Sequence, residues 1–257
     1  MCAILTAAVS SHGQFTVFAT NGDESVFTGS AQTDPIPDPL TASGWGVMSS
    51  SNLDGDAIRM WDLDGTRAEI EYDASSPFTS YAEFNFDGYI ESDLTGTSQY
   101  MMRLGPSGLN WAALSNSSME FRFRHNNGGQ MMIRTSTSQT FDLAAVGLDT
   151  RFSVSILANA AATGGSSVDY NKDGIIGTLA PEEYAVIVNG SLVGTYSMFA
   201  GHTDNLGGFW LASGTSAAGT VATMQLDNIT AVPEPSVYAL IAGILGLGIV
   251  VLRRRRR

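Results

Sequence analysis

Apolar and polar residues alternate in short runs along most of the chain, as they do in β-strands that bury one face. Gly, Pro, Asp and Ser residues separate the runs, which is typical of strands joined by turns. Long segments of helical period are absent before the C-terminal end, and only residues 179–185 could form one helical turn. The pattern predicts strands within residues 14–20, 43–50, 67–74, 81–92, 98–105, 151–160, 207–214 and 222–232.

Two further pairs of runs are joined by residues that favour tight turns. Residues 119–136 place two β-rich runs around Asn126-Asn127-Gly128-Gly129, and residues 184–197 contain Asn189-Gly190. Asn and Gly tolerate the positive φ values that hairpin turns require. Many short antiparallel strands of this kind predict an all-β fold, a β-sandwich or jelly roll, over residues 15–231.

The C-terminal part of this domain resembles concanavalin A-like, laminin-G-like sandwiches. The similarity lies in four features in order: a strand at 151–160, a Val-Asn-Gly hairpin at 184–197, a Gly-x-Trp-Leu strand around Trp210, and a closing Asp227-Asn228-Ile229 strand. The first half of the domain is similar only in the spacing of its predicted strands. The resemblance implies an antiparallel, concanavalin A-like sandwich.

The last 26 residues have a different pattern. An uncharged run of 16 residues extends from Val237 to Leu252, and Tyr238 lies near its start. As a helix it would reach about 24 Å, and interfacial tyrosine and snorkelling arginines would extend it across a bilayer as a single transmembrane helix. The positive-inside rule would keep the terminal arginines cytoplasmic; these are Arg253, Arg254, Arg255, Arg256 and Arg257.

This tail, with Pro233, Glu234 and Pro235 before its apolar run, resembles the PEP-CTERM sorting signal of Gram-negative bacteria. The resemblance implies export, recognition by an exosortase, removal of the helix, and delivery to the cell envelope surface or the extracellular matrix. Proteins with this signal often accompany exopolysaccharide production. The alternative is an ordinary tail anchor that is never cut. Residues 232–257 are therefore interpreted as a sorting and anchor segment.

The N-terminal residues 1–14 include an apolar stretch, Ala3–Val9, followed by small residues. No Lys or Arg precedes it, so the basic region of a signal peptide is missing. We interpret these residues as the remnant of a signal peptide that starts upstream, or as a divergent one. The alternative is a buried first strand.

Charge narrows the range of partners. The chain has 13 Lys and Arg against 25 Asp and Glu, and five of the cations lie in the terminal run. The remainder is therefore strongly acidic, which argues against nucleic acid and anionic lipid as partners. Cys2 is the one cysteine, so no internal disulfide can form.

One segment has the spacing of a calcium loop. Asp169, Asn171 and Asp173 supply oxygen atoms at alternate positions, Gly174 follows, and the backbone carbonyl of Ile175 would be a fourth ligand. The twelfth position of such a loop is Ala180 rather than an acid, so Glu182 or Glu183 would have to complete the shell. The alternative is a polar hairpin turn.

Two other features could carry chemistry. Glu69, Glu71 and Asp73 alternate on one strand and loosely resemble the catalytic acid pattern of sandwich glycosidases, although a solvated strand face explains them better. Exposed aromatic side chains could stack against sugar rings, although core packing is the simpler explanation for most. The tryptophans are Trp45, Trp61, Trp111 and Trp210.

Together these features predict an exported, non-enzymatic cell-surface or matrix protein, sorted by an exosortase, whose sandwich binds polysaccharide or another envelope component. Two alternatives are a secreted glycoside hydrolase on the same scaffold and a purely structural matrix protein. Calcium is the one cofactor that the sequence suggests.

Overall fold

The structure is a computed structural model. It describes residues 15–16, 36, 43–49, 51–53, 56–63, 67–78, 81–92, 99–106, 113–125, 128–136, 140–199, 206–214 and 222–233.

The described residues form sixteen strands and one short 3-10 turn, Leu114–Asn116. In chain order the strands are β1 Phe15–Thr16, β2 Gly44–Met48, β3 Ala57–Asp62, β4 Glu69–Phe78, β5 Tyr81–Ile90, β6 Gln99–Gly105, β7 Met119–Arg124, β8 Gln130–Arg134, β9 Phe141–Ala145, β10 Arg151–Asn159, β11 Val168–Lys172, β12 Ile175–Leu179, β13 Glu183–Val188, β14 Ser191–Ser197, β15 Leu206–Ser213 and β16 Ala222–Pro233.

The strands make two large antiparallel sheets and one hairpin. The eight-stranded sheet has the order β14-β13-β10-β5-β16-β3-β2, with β1 also paired to β16. The six-stranded sheet has the order β4-β15-β6-β7-β8-β9, and β11 pairs only with β12. The all-β, antiparallel sandwich predicted from the sequence is therefore confirmed.

The main core lies between the two large sheets, and the alternation along each strand builds it. In β7, Phe121 and Phe123 enter the core while Arg122 between them faces the other way. Phe123 stacks on Phe152 of β10 at 5.9 Å between ring centroids, and Phe121 meets Tyr184 of β13 edge-on at 6.0 Å. These aromatic contacts join one sheet to the other.

A second, smaller apolar cluster lies on the outer face of the eight-stranded sheet. Tyr170 and Leu179 of the β11–β12 hairpin pack there against Leu157, Ala185 and Ile187. The ion pair between Lys172 and Glu83 also ties the hairpin to β5. The outer face of this sheet is therefore partly covered by the chain itself.

The structure also corrects the sequence interpretation in detail. β3 and β9 were not predicted as strands. Residues 179–185 are not a helical turn, because Leu179 ends β12 and Glu183 begins β13. β16 continues through Pro233, whose backbone lies opposite Ala82 of β5, so the sandwich extends two residues beyond the predicted boundary.

Several predictions fall outside the described residues. They concern the signal-peptide remnant at 1–14, Glu234 and Pro235, the anchor from Val237 to Leu252, and Arg253–Arg257. Within the described ranges, no helix is long and apolar enough to cross a membrane.

The β7–β8 turn provides a test of the sandwich register. Gly128 and Gly129 both have positive φ values, 79° and 87°. A Cβ atom added to Gly129 would lie 2.3 Å from the backbone oxygen of Gly147, whereas a Cβ atom added to Gly128 would meet no atom within 4 Å. Gly128→Ala should cost about 1–2 kcal/mol of unfolding free energy for the left-handed conformation alone. Gly129→Ala should cost about 1–3 kcal/mol more, because a backbone carbonyl must move.

Urea unfolding of the two variants measures this difference. Equal losses would contradict the approach of the β7–β8 turn to Gly147.

Candidate functional site

The outer face of the six-stranded sheet is polar, in contrast to its inner face. In β6, Tyr100, Met102 and Leu104 enter the core, so Gln99 and Arg103 point outward with Met101 between them. The same alternation turns outward Glu120, Arg122 and Arg124 of β7, Gln130, Met132 and Arg134 of β8, and Trp210 and Ala212 of β15.

Positive charge concentrates on this face. Outside the C-terminal run the chain has eight Lys and Arg residues, and five of them lie here. On an acidic chain such a grouping favours an anionic ligand. We call this surface the arginine face, defined by Arg67, Arg103, Arg122, Arg124 and Arg134.

Glu120 is the centre of the arginine face. Arg103 bonds its Oε2 through Nε at 2.8 Å and Nη2 at 2.7 Å. Arg122 Nε and Arg134 Nη1 both donate to its Oε1 at 2.9 Å. Strand register explains the meeting, since Arg103 lies directly opposite Glu120, and β8 carries Arg134 on the other side.

The pKa of Glu120 reflects two opposed effects. Burial of the fully covered carboxyl raises its pKa, but the charges and hydrogen bonds of Arg103, Arg134 and Arg122 outweigh burial and hold the pKa below its usual value. Burial lowers the pKa of Arg103, and Glu120 opposes that shift. Glu120 is therefore ionised at neutral pH, and the one carboxylate bonds three guanidinium groups.

Two aromatic rings complete the packing of the arginines. Arg67 and Arg103 lie over the Trp210 ring, 5.8 and 5.0 Å from its centroid. Arg122 lies over the Phe141 ring, 4.9 Å from the ring centroid. Trp210 is fully buried, and its indole Nε1 has no hydrogen-bond partner among the described residues. Trp210 therefore supports arginines and offers no open stacking platform.

The other tryptophans do not supply an exposed platform in the described part of the chain. Trp45 lies in the main core and Trp61 is 1% exposed, so burial, the simpler expectation, is confirmed for both. Trp111 is outside the described residues.

Arg124 has a different kind of partner from the other arginines. Its Nε and Nη2 donate to the amide oxygen of Gln99 at 3.1 and 2.9 Å. Gln99 lies opposite Arg124 on β6, and Gln130 lies opposite it on β8. Burial, followed by the charge of Arg122, lowers the pKa of Arg124. Gln99, Arg124 and Gln130 thus form a partly exposed row across three strands, the Gln-Arg-Gln row.

The predicted acidic strand is β4, at the edge of the same sheet. Ile70 lies in the core and Tyr72 packs against it. Glu69 and Glu71 alternate with these residues and therefore face outward. Glu71 lies opposite Trp210 on β15, and Glu69 is ion-paired to Arg67 at 3.4 Å. Their Cα atoms are about 6.6 Å apart from the rise of two strand residues. The side chain of Asp73 is outside the described part.

The predicted calcium ligands lie on the β11–β12 hairpin and in the turn before β13. Asp173 and Gly174 have φ values of 52° and 87° and form the two-residue turn, and Lys172 pairs with Ile175. Asp169 Oδ1 accepts from the Thr178 hydroxyl at 2.6 Å, and Asn171 Oδ1 accepts from the Gly174 N–H at 3.2 Å. The segment thus adopts the hairpin alternative.

Glu182, the remaining calcium candidate, is directed elsewhere. Its Oε1 accepts from the backbone N–H and hydroxyl of Thr163 at 3.1 and 2.7 Å, while Glu183 Oε2 accepts from the Ala180 N–H. Among the described residues, no group of three or more His, Cys, Asp or Glu side chains could hold a metal ion. Calcium binding stays a prediction, without a formed ligand set in this conformation.

Comparison with known proteins gives the class of fold. No protein-family model and no curated protein matches the chain. A sialidase structure has a TM-score of 0.51 and 13% identity over 74% of this chain but only 17% of its own. A carbohydrate esterase from the bacteriophage phi24B has a TM-score of 0.51 and 8% identity, covering 86% of this chain and all of its own. At these identities the likeness shows a shared β-sandwich fold.

An endo-β-1,4-glucuronan lyase from Trichoderma reesei is also similar, with a TM-score of 0.47 and 10% identity over 80% of this chain and 94% of its own. The sialidase and the carbohydrate esterase are enzymes. The prediction of a non-enzymatic protein is therefore contradicted, because proteins that share this sandwich fold are enzymes.

The sequence interpretation missed the cluster around Glu120. The run Met119–Arg124 carries the signal, because Glu120, Arg122 and Arg124 alternate with core residues and so share one strand face. Their partners Arg103 and Arg134 lie on neighbouring strands, which alternation within one run does not reveal.

Glu120→Gln should destabilise the protein by about 3–5 kcal/mol at pH 7, because it leaves three arginines without their shared counter-charge. The folded-state pKa of Glu120 lies below its ordinary value of 4.5, so its contribution is complete above that pH and is lost as pH falls through the lowered pKa. The stability gap between wild type and variant should therefore narrow below about pH 4.5.

Urea unfolding at several pH values measures this gap. Glu91→Gln is the control, because Glu91 pairs at 2.9 Å with a more exposed arginine, Arg59, and should cost only about 1 kcal/mol. A gap for Glu120→Gln that is small at pH 7, or that does not change with acid, would contradict an ionised Glu120.

Proposed function

We propose that this protein is an exported carbohydrate-active enzyme, a glycoside hydrolase that holds a polysaccharide across the arginine face. The observation that carries this proposal is the position of Glu69 and Glu71, which project side by side from β4 onto the same sheet face as the arginines. The fold shared with carbohydrate-active enzymes supports the proposal.

Glycosidic cleavage needs two carboxyl groups, and Glu69 and Glu71 place such a pair on one strand face. One carboxylic acid donates a proton to the glycosidic oxygen as the C–O bond breaks, and the other carboxylate attacks the sugar carbon or activates a water that does so. Water supplies the hydroxyl of the new reducing end, and its proton restores the acid. A strand holds two such groups at a fixed separation, which favours a defined attack geometry.

The two glutamates have different neighbours. Glu69 is ion-paired with Arg67. Glu71 lies opposite the buried Trp210 on β15, so we assign the two glutamates jointly, one as the acid and the other as the carboxylate that attacks or activates water.

Separate Glu69→Gln and Glu71→Gln variants should each lower reducing-end release from a polysaccharide by about 10²–10⁴-fold while the protein stays folded. Glu91→Gln, on the opposite sheet, is the matched control and should keep full activity. Full activity in both glutamate variants would overturn the assignment. Products that contain an unsaturated sugar would point to elimination instead of hydrolysis.

We also propose that the tail directs this enzyme to the envelope through an exosortase, on the resemblance of Pro233, Glu234 and Pro235 to the PEP-CTERM signal. β16 supports this arrangement, because its pairing with β5 runs to Pro233 and the motif begins where the sandwich ends. The folded domain would therefore lie directly against the membrane until it is released.

Intact mass measurement of the secreted protein in an exosortase-competent host should show a C-terminus near residues 233–236 and no terminal arginines. Glu234→Ala should accumulate as a longer, membrane-bound form. A wild-type protein that retains Arg257 would favour the uncut tail anchor.

A further inference from the structure

We infer that the Gln-Arg-Gln row, together with Arg122, is a carboxylate-binding subsite, so that the polysaccharide substrate contains uronic acid residues. This inference rests on the proposed function and names its substrate class. It assigns Gln99, Arg124 and Gln130 to substrate binding.

The first argument is the counter-charge of Arg124. Among the described residues its guanidinium is hydrogen-bonded only by Gln99, a neutral group, and no carboxylate forms an ion pair with it. The burial and the neighbouring charge of Arg122 that lower its pKa both disfavour the charged form. A ligand carboxylate would relieve both effects, since it supplies the missing counter-charge and a charge-assisted hydrogen bond.

The second argument is the charge of the cluster beneath. Three arginines share the Glu120 carboxylate, and they differ in exposure. Arg103 and Arg134 are buried at the base of this cluster, whereas the side chain of Arg122 keeps 13% exposure on the same strand as Arg124. Arg122 therefore adds a partly exposed positive charge beside Arg124.

The third argument is the apolar rim beside the two arginines. Met101 lies opposite Arg122 on β6, and Met132 lies opposite it on β8. Leu143, the next residue in this row, is 55% exposed. A pyranose ring has apolar C–H faces, so this rim can pack against the ring while Arg124 bonds its carboxylate and the two glutamines bond its hydroxyls.

A carboxylate fits this subsite better than a sulfate ester. The planar guanidinium matches the two oxygens of a carboxylate in a bidentate pair. Because Nε and Nη2 of Arg124 bond the Gln99 oxygen, the ligand carboxylate would pair with the terminal Nη1–Nη2 edge. The amide N–H groups of Gln99 and the amide of Gln130 suit ring hydroxyls.

The test is calorimetric titration of the full chain in its Glu71→Gln form, which slows turnover, with oligogalacturonate, its methyl ester, a neutral oligoglucan and a sulfated oligosaccharide. Oligogalacturonate should bind at least 10-fold more tightly than its ester or the glucan. Arg124→Gln should remove that preference, and Arg124→Lys should restore only part of it, because lysine keeps the charge but not the fork.

Arg151→Gln is the matched control, because Arg151 forms an exposed ion pair with Asp87 on the other sheet, and it should leave the preference unchanged. Should Arg124→Gln not fold, as judged by circular dichroism, Gln130→Leu tests the same row without a change of charge and should weaken oligogalacturonate binding.

Equal affinity for the uronate and its ester, or a preference for the sulfated sugar, would overturn the inference. Two further outcomes separate it from the proposed function. Uronate binding that depends on Arg124 without any release of reducing ends would overturn the hydrolase and keep the subsite. Cleavage of neutral glycans alone, unaffected by Arg124→Gln, would keep the hydrolase and overturn the subsite.

Discussion

The structure depends on one electrostatic constraint, which is that a single buried carboxylate, Glu120, must hold three arginines on a sheet face. Isolated buried charges cost several kcal/mol each, and only close pairing with good hydrogen bonds offsets that cost. The contacts of 2.7–2.9 Å between Glu120 and Arg103, Arg122 and Arg134 meet this requirement. The same arrangement concentrates five of the eight Lys and Arg residues outside the C-terminal run on one sheet face of an acidic protein.

The sandwich architecture makes this arrangement possible. Strands β6, β7 and β8 turn their alternate residues into an aromatic core that holds the register, and the opposite residues are then fixed in rows across the sheet. The outer face of the other sheet is different, because the β11–β12 hairpin packs an apolar cluster on it. The two outer faces therefore have different chemistry, and the charged one is the better candidate for ligand contact.

The same rows bring together two kinds of chemistry that are separate along the chain. Glu71 lies opposite Trp210, and Trp210 lies opposite Arg103, so the β4 glutamates and the β7 arginines lie on the same face of one sheet, with buried residues between them. A polysaccharide is long enough to contact both. Binding and bond cleavage would then occupy neighbouring parts of one sheet. Strands hold catalytic groups more precisely than loops do.

The sequence by itself determined what depends on near neighbours in the chain. Alternation predicted most strands, and Asn189-Gly190 predicted a hairpin because these residues accept the positive φ of its turn. The segment around Asp173 was ambiguous, since the same Asp-Gly pair suits a calcium loop and a two-residue hairpin turn. Only the tertiary structure decided for the hairpin, and only strand register brought Arg103, Glu120 and Arg134 together, because side-chain pairing across strands depends on packing between residues that are far apart in the chain.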